Sequence, residues 1–341
     1  MRLTYVLDRP ELCGGVKVVF QHAQLLHDRG HRVTILGAGG RPAWIPFGGD
    51  YVDSRSGTPA LPLQDLVIAT FWTTVDVAEG LARGPVAHFC QGYEGDLPHL
   101  EPFRPQIEAV YRRPLPTLVT APHLGELVLR RFGRRSRIAP PPLDPLFCQS
   151  WRWRPRRRPW VIIPGMFESH VKGIPTALEA SKRLSSAGLA HRILRLSTLP
   201  LSEGERQMLP PDRYLCRVEP HVVARAMRRC DLLLFPSGAA EGFGLPVLEA
   251  MAAKVPVVAS DIPSNRFIGA GALALVPPGD PGAFADAARR VLESPARWRE
   301  SRRRGRRAAR AFAPSKIAGD LITAVEWAAQ ESRDRAVEVG S

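Results

Sequence analysis

The chain has little lysine. Only Lys17, Lys172, Lys182, Lys254 and Lys316 stand among its 47 lysines and arginines, so the formal charge of +14 is carried by arginine. No apolar run approaches the roughly 18 residues of a membrane span. The first residues, MRLTYVLDRP, lack the apolar core of a secretory signal. The five cysteines, Cys13, Cys90, Cys148, Cys216 and Cys230, form neither a C-x-x-C pair nor a metal-ligand spacing. That argues against a disulfide scaffold and a structural zinc site, and for reduced thiols in a cytoplasmic protein. A repeat of solenoid length, a G-x-G-x-x-G and an Asp-x-Asp are all missing. What remains is the composition of an ordinary soluble chain, 45% hydrophobic and 23% charged, whose 341 residues suffice for about two domains.

The arginines are grouped. Residues 130–137 hold Arg130, Arg131, Arg134, Arg135 and Arg137, and residues 152–158 hold Arg152, Arg154, Arg156, Arg157 and Arg158. A third group has Arg297, Arg299, Arg302, Arg303, Arg304, Arg306, Arg307 and Arg310. Such groups suit a solvated surface, an anionic membrane or a nucleic acid. No nucleic-acid motif accompanies them, so nucleic acid ranks last.

Periodicity predicts alternating strands and helices. RLTYVL at 2–7 reads as a strand, Gly14-Gly15 opens a helical pattern ending near Gly30, and Val33–Leu36 is the next strand. A βαβ opening of this kind belongs to a doubly wound parallel sheet. Further strands are expected at Leu66–Ala69, Val86–Cys90 and Leu118–Thr120, with a helix over 123–132. Gln91-Gly92-Tyr93-Glu94 follows a strand end, where open α/β sheets place binding crevices. The Pro- and Arg-rich 151–159 segment breaks all periodicity and is expected to be the linker. Beyond it the alternation restarts with strands at Trp160–Ile163, Ile193–Leu196, Tyr214–Cys216, Leu232–Phe235 and Val255–Ala259. Helices are expected over 221–229, 283–292 and 297–311.

The most informative stretch is Glu241-Gly242-Phe243-Gly244-Leu245-Pro246-Val247-Leu248-Glu249-Ala250-Met251-Ala252. It follows a buried-type strand and a Pro-Ser-Gly turn, and Pro246 suits a first helical position. A helix start offers unpaired amides and a positive dipole end, which favour an anion such as phosphate. The expected donors are the amides of Gly244, Leu245 and Val247. Glu241 and Glu249 flank the loop, suiting a ligand that is part diphosphate and part polyol. Read from its residues alone, the stretch also suits an ordinary βα turn with two solvated glutamates.

All twelve residues fit the E-x7-E signature, and the stretch resembles the retaining glycosyltransferases of family 4, which have the two-domain GT-B fold. The resemblance extends over nearly the whole chain. Lys172-Gly173 is similar to the end of the family's G-R-x-x-x-x-K-G segment, with Met166 in place of the arginine. Gln91 stands where many members have a histidine, and Q-x-Y-E resembles a rhamnosyltransferase-like branch. Ile138–Asp144 is similar to the segment that leaves the first domain, Val276–Pro281 to the closing loop, and Phe312–Ser315 to the segment that crosses back.

The fold that this implies is α/β, GT-B: two doubly wound Rossmann-like domains facing a cleft, with a C-terminal helix returning to the first. The expected divisions are 1–150 for an acceptor-side domain, 151–313 for a nucleotide-sugar domain and 314–341 for the returning helix. The implied reaction is metal-independent glycosyl transfer, with retention, from a UDP-, dTDP- or GDP-sugar to a hydroxyl on a glycan or other carbohydrate, a lipid-linked sugar or a small molecule, and without a cofactor. Glu241, Lys172 and Gln91 are the expected catalytic residues. The donor is expected at Gly14, Gly15, Lys172, Gly173, Val218, Glu241, Phe243, Gly244, Leu245 and Glu249, with the ribose on Glu249 and a sugar hydroxyl on Glu241. A peripheral contact with the inner face of an anionic membrane would engage the arginine groups. A non-catalytic binding partner and a GT-B nucleotide-sugar epimerase stay open as alternatives.

Overall fold

The computed structural model describes residues 1–56, 61–81, 83–147, 153–269 and 271–340, with the side chains of 336–340 left aside. Cys148, Trp151 and Arg152, of the cysteine set and the linker segment, lie outside the described residues. The chain divides into two compact units, one of Met1–Pro142 with Pro314–Ser341 and one of Leu143–Ala313. The first division falls ahead of the 151–159 segment. Leu143 already belongs to the second unit, its amide bonded to the Phe312 carbonyl at 2.6 Å.

The first unit runs β1 (Arg2–Leu7), α1 (Gly14–His27), β2 (Arg32–Gly37), β3 (Asp50–Asp53), β4 (Leu66–Ala69), α2 (Trp72–Gly80), β5 (Val86–Cys90), α3 (Arg104–Tyr111), β6 (Thr117–Val119), α4 (Pro122–Phe132) and β7 (Ser136–Ile138). The strands form one parallel sheet in the order β3-β2-β1-β4-β5-β6-β7. β4 and β5 are buried at every residue, the pattern of strands covered on both faces. This is why their uninterrupted apolar runs predict strand so directly. β3 and β7 escape the sequence reading because they are short and half-exposed edge strands with polar residues.

The second unit runs β8 (Trp160–Pro164), α5 (Ile174–Ser186), β9 (Arg192–Ser197), α6 (Glu203–Met208), β10 (Arg213–Cys216), α7 (Pro220–Arg229), β11 (Leu232–Phe235), α8 (Leu245–Ala252), β12 (Val257–Ser260), α9 (Pro263–Gly269), β13 (Ala274–Val276), α10 (Pro281–Leu292) and α11 (Pro295–Ala309). Its parallel sheet has the order β10-β9-β8-β11-β12-β13. Val161, Ile163, Leu178, Leu232, Leu234, Phe284 and Trp298 anchor its core. Trp298 satisfies its one polar group by donating from Nε1 to the Asp231 carbonyl at 2.8 Å.

The last helix, α12 (Pro314–Gly340), belongs to the first unit, where it packs on α1 and along β4–β7. Ile317, Leu321, Ala324, Val325 and Ala328 are buried along it at helical spacing. Arg135 reaches Glu331 at 2.8 Å, and Arg137 lies 4.9 Å from the Trp327 ring centre. The expected return of the chain to its first domain is therefore present.

In each sheet strand order reverses beside a central strand, β1 in one unit and β8 in the other. At such a point the loops leaving two neighbouring strands diverge to opposite faces and open a crevice at the carboxyl ends. In the second unit those loops follow β8 and β11. They carry Lys172 and Glu241.

Candidate active site

The loop after β8 leaves through Gly165, whose φ of 131° is open to glycine. It passes through a 3-10 turn at His170–Lys172 and enters α5 after Gly173, at φ 57°. A Cβ on Gly173 would stand 2.3 Å from the Pro236 carbonyl, so glycine is what lets the two loops touch. They are also stitched by the Gly238 amide, which donates to the Val171 carbonyl at 2.7 Å.

Across this seam Lys172 Nζ donates to Glu241 Oε2 at 2.8 Å. The lysine side chain keeps 30% exposure and the glutamate 9%. Glu241 therefore does not project freely at a loop mouth; it first holds Lys172. Only its Oε2 is so engaged, and Oε1 has no protein partner among the described residues.

α8 begins at Leu245 rather than at Pro246, which is its second residue, and Gly244 caps it with φ 93°. The Val247 amide is not a free donor as expected, because it bonds the Gly244 carbonyl at 2.9 Å. Among the described residues the Gly244 and Leu245 amides donate to no other group. Those two remain for an anion. Phe243 directs its ring away from this loop into an aromatic trio, 5.6 Å from Phe312 and 6.3 Å from Phe267. What it offers a ligand is main chain. Glu249 opens the second turn of α8 and is half-buried. Val218 follows β10 at the same carboxyl end of the sheet, just after Arg217, which has φ 48°.

Met166 leaves a cation missing from the β8 loop, and Arg195 is the nearest replacement that the fold suggests. It is fully buried, pairs with Glu205 and donates to the carbonyls of Ile163 and Gly165. It braces the loop, with its charge already compensated. Asn265 is a residue that sequence reasoning missed. Completely buried, it donates from Nδ2 to the Ser260 carbonyl at 2.8 Å, while a Cβ on Gly244 would meet its Oδ1 at 3.4 Å. It therefore fixes the loop from behind, and Asp261–Asn265 carries no periodic signal that would have shown it.

In the first unit the start of α1 and the end of β5 bring Gly14, Gly15 and Gln91 together. Gln91 Nε2 donates to the Gly15 carbonyl at 3.2 Å. Just behind lies a buried polar cluster. Tyr111 donates to Glu94 Oε2 at 2.5 Å and lies 3.2 Å from Cys90 Sγ; Arg134 stacks 5.1 Å from the Tyr111 ring and donates to His88 Nδ1 at 3.0 Å. Burial raises the Glu94 carboxyl to about 7 and the Cys90 thiol to about 12, and lowers His88 well below the usual imidazole range. His88 is thus a neutral structural residue.

The arginine groups are not uniformly surface. Arg134 is 1% and Arg302 6% exposed. Arg302 stacks 4.2 Å from the Trp298 ring and donates from Nε to the Lys254 carbonyl at 2.6 Å, while Arg306 donates to the Ala252 carbonyl at 3.2 Å. Both cap the carboxyl end of α8. Arg156 pairs with the buried Asp231 at 2.9 Å. Arg303, Arg307 and Arg310 are exposed. Among the described residues no helix is long and apolar enough to cross a membrane.

Residues 158–294 match the family model described as Glycosyl transferases group 1. The phosphatidyl-myo-inositol mannosyltransferase of Mycobacterium leprae is 29% identical over 185 residues, 51% of this chain, and the chain spans about half (48%) of that relative's length. The protein of the same name from Mycobacterium tuberculosis is 24% identical over 373 residues, covering 95% of each chain. Among solved structures, sucrose-phosphate synthase from Thermosynechococcus elongatus superposes with a TM-score of 0.77 at 19% identity, covering 100% of both chains. HepE of Anabaena, in complex with UDP-glucose, superposes with a TM-score of 0.74 at 15% identity, over 96% of this chain and 99% of that one. Fold, family match and relatives converge: the chain has the two-unit GT-B fold, and residues 158–294 of its second unit are similar to the glycosyl transferases group 1 domain.

Proposed function

We propose that the protein transfers a hexosyl group, with retention and without a metal, from a nucleotide-sugar to a hydroxyl on a carbohydrate or lipid-linked acceptor. The observation that carries this reading is the Lys172–Glu241 contact at the switch point, beside the unengaged amides of Gly244 and Leu245. Leaving-group departure concentrates negative charge on the diphosphate. A lysine and two fixed amides stabilise that charge with donors oriented before reaction, the role a metal would otherwise take. Glu241 orients Lys172 through Oε2 and offers Oε1 to a sugar hydroxyl. Glu249 holds the ribose, Val218 the base through main chain, and Gly173 and Phe243 shape the pocket. Gln91, beside Gly14 and Gly15 in the first unit, serves a sugar hydroxyl; as an amide it hydrogen-bonds and takes no proton.

The relatives named phosphatidyl-myo-inositol mannosyltransferases favour a mannosyl donor and a lipid acceptor. The HepE complex favours UDP-glucose, and the Q-x-Y-E likeness adds a rhamnosyl donor. Exposed Arg303, Arg307 and Arg310 suit peripheral contact with an anionic membrane.

The test is release of nucleoside diphosphate from a panel of UDP-, dTDP- and GDP-sugars, with and without acceptors, in the presence of EDTA. Acceptor-dependent release, with a product of the donor's anomeric configuration by NMR, is expected. Binding without turnover would favour a non-catalytic partner, and acceptor-independent sugar interconversion an epimerase. An inverted product would remove retention from the proposal.

A further inference from the structure

A second concavity lies at the other end of the same sheet. β13 is an edge strand, and the segment leading into it forms, with α10 and α11, a groove of about 470 Å³. Because the sheet is parallel, the residues entering β13 lie at the strands' amino ends, whereas Lys172 and Glu241 follow carboxyl ends. The groove is therefore separate from the candidate donor site, and nothing in the proposed reaction uses it.

Its lining has two characters. Leu273 and Val291, with neighbouring alanines, give an apolar floor, while Arg290 of α10 and Arg297 and Arg304 of α11 stand around it. Arg297, Ser301 and Arg304 share a face of α11 by their spacing. Glu300 also lines the groove, and its carboxylate is taken up by arginines: Arg304 Nε lies 3.1 Å from its Oε1, and Arg303 pairs with its Oε2. The side chains of Arg290 and Arg297 have no ion pair or hydrogen bond among the described residues, and both are exposed. A solvated surface accounts for two such arginines, but not for both lining one concave apolar floor together with a hydroxyl. Guanidinium forks match phosphate oxygens in pairs, and two uncompensated cations match the charge of a phosphate monoester. The size is that of a small-ligand site.

We propose that this groove binds a phosphate monoester carried on an apolar group, with Arg290 and Arg297 on the phosphate and the apolar part against Leu273 and Val291. The source is either a soluble ester or a lipid headgroup, and two probes separate them. The first is n-hexyl phosphate, titrated calorimetrically into the full chain. Saturable binding is expected, weakened about ten-fold or more by Arg290→Gln/Arg297→Gln, with inorganic phosphate and hexanol each binding similarly more weakly than the ester. The second is phosphatidic acid in phosphatidylcholine vesicles, measured in an Arg303→Gln/Arg307→Gln background so that general adhesion to charge does not count. Binding lost on adding the Arg290 and Arg297 substitutions assigns the lipid source; hexyl phosphate binding alone assigns the soluble one. UDP affinity, which reports the Lys172–Glu241 site, should be unchanged in the Arg290→Gln/Arg297→Gln variant, so failure here leaves the donor reading standing. Equal binding by wild type and variant, or saturable binding of neither probe, overturns the proposal.

Discussion

Lys172 Nζ sits 2.8 Å from Glu241 Oε2, joining the loops after β8 and β11. In sequence the two residues are 69 apart and look like separate assignments, a phosphate cation and a sugar carboxylate. In the fold they form one unit, because the switch point brings their loops together and Gly173 removes the Cβ that would keep them apart. A lysine ammonium is a mobile point charge on a flexible stem. The carboxylate limits that mobility, so the cation is aimed before a diphosphate arrives.

Loss of the cation should therefore be felt in donor binding. Lys172→Ala is expected to weaken nucleoside diphosphate affinity by about 1.5–3 kcal/mol, the range for hydrogen bonds to charged groups. Because Glu241 acts partly through Lys172, Lys172→Ala and Glu241→Gln should be non-additive, with a coupling of roughly 0.5–3 kcal/mol. Calorimetry on the four members of the cycle decides this. Unchanged affinity in Lys172→Ala would take the lysine out of the site.

The two glutamates should separate kinetically. Glu249 is assigned to the ribose, which does not change during reaction, so Glu249→Gln should raise KM more than it lowers kcat. Glu241 is assigned beside the bond that breaks, and Glu241→Gln should chiefly lower kcat. Steady-state kinetics with the accepted donor, on variants with wild-type unfolding midpoints, measures both. A pair of variants that turn over like wild type would reduce the loop to a structural turn.

Behind this loop, α8 ends in an unusual way. The Val255 amide bonds the Ala250 carbonyl at 2.8 Å and the Lys254 amide bonds that of Met251 at 3.1 Å, the paired pattern of a Schellman motif. Its left-handed position is Lys254, at φ 56°, where glycine is the usual residue. Arg302, Arg306 and Arg310 also lower the pKa of the Lys254 amine, after burial. Lys254→Gly should relieve the backbone conformation and the repulsion together, stabilising by about 1 kcal/mol in urea unfolding. Arg302→Gln should do the reverse, because it leaves the Lys254 carbonyl and the Trp298 face without their partner. A destabilised Lys254→Gly would mean that the lysine side chain contributes more than its backbone costs.

Legibility in the sequence followed burial. β4, β5 and β11 coincide with the expected runs, because a strand covered on both faces has no polar interruption. The donor loop was legible because strand, glycine pair and helix start are local in sequence. Its contacts were not. The pairing of Lys172 with Glu241, the turning of Phe243 into Phe267 and Phe312, and the support from Asn265 all depend on which loops the sheet order brings together. The same limit governs the arginines, where Arg302 and Arg303 are neighbours in sequence yet one is buried on Trp298 and the other exposed.

That division sharpens the membrane test. Arg303, Arg307 and Arg310 recur at i, i+4 and i+7 on α11 and the turn after it, and all three are exposed. Their joint replacement by Gln should weaken adhesion to anionic vesicles by up to about 1 kcal/mol each, with the fold intact and activity on a soluble acceptor kept. Vesicle co-sedimentation at two salt concentrations measures it. Equal adhesion by variant and wild type would return these arginines to the solvated surface.

Glu94 gives the first unit a measurable pH dependence. Its carboxyl is buried, and its folded pKa of about 7 lies above the ordinary 4.5, because burial outweighs the hydrogen bond from Tyr111 and the charge of Arg134. The folded state thus holds this proton more tightly than the unfolded chain does. Its contribution to stability is complete below the unfolded pKa and is lost as pH rises through 7. The loss is on the order of 3 kcal/mol at most, from the size of the shift. His22, lowered to about 4 by burial, and His88, lowered well below the usual imidazole range by burial and Arg134, act in the opposite sense at lower pH, favouring the fold as pH rises towards the ordinary imidazole value. Wild type alone would mix the two effects, so the readout is a difference. Glu94→Gln keeps the shape and an acceptor for Tyr111 but cannot titrate. Between pH 5 and pH 8 the wild type should lose stability relative to Glu94→Gln in urea unfolding, with the steepest divergence between the unfolded pKa and pH 7 and a levelling above pH 7. Parallel profiles would show that the carboxylate is solvated or paired well enough to ionise at its ordinary pKa.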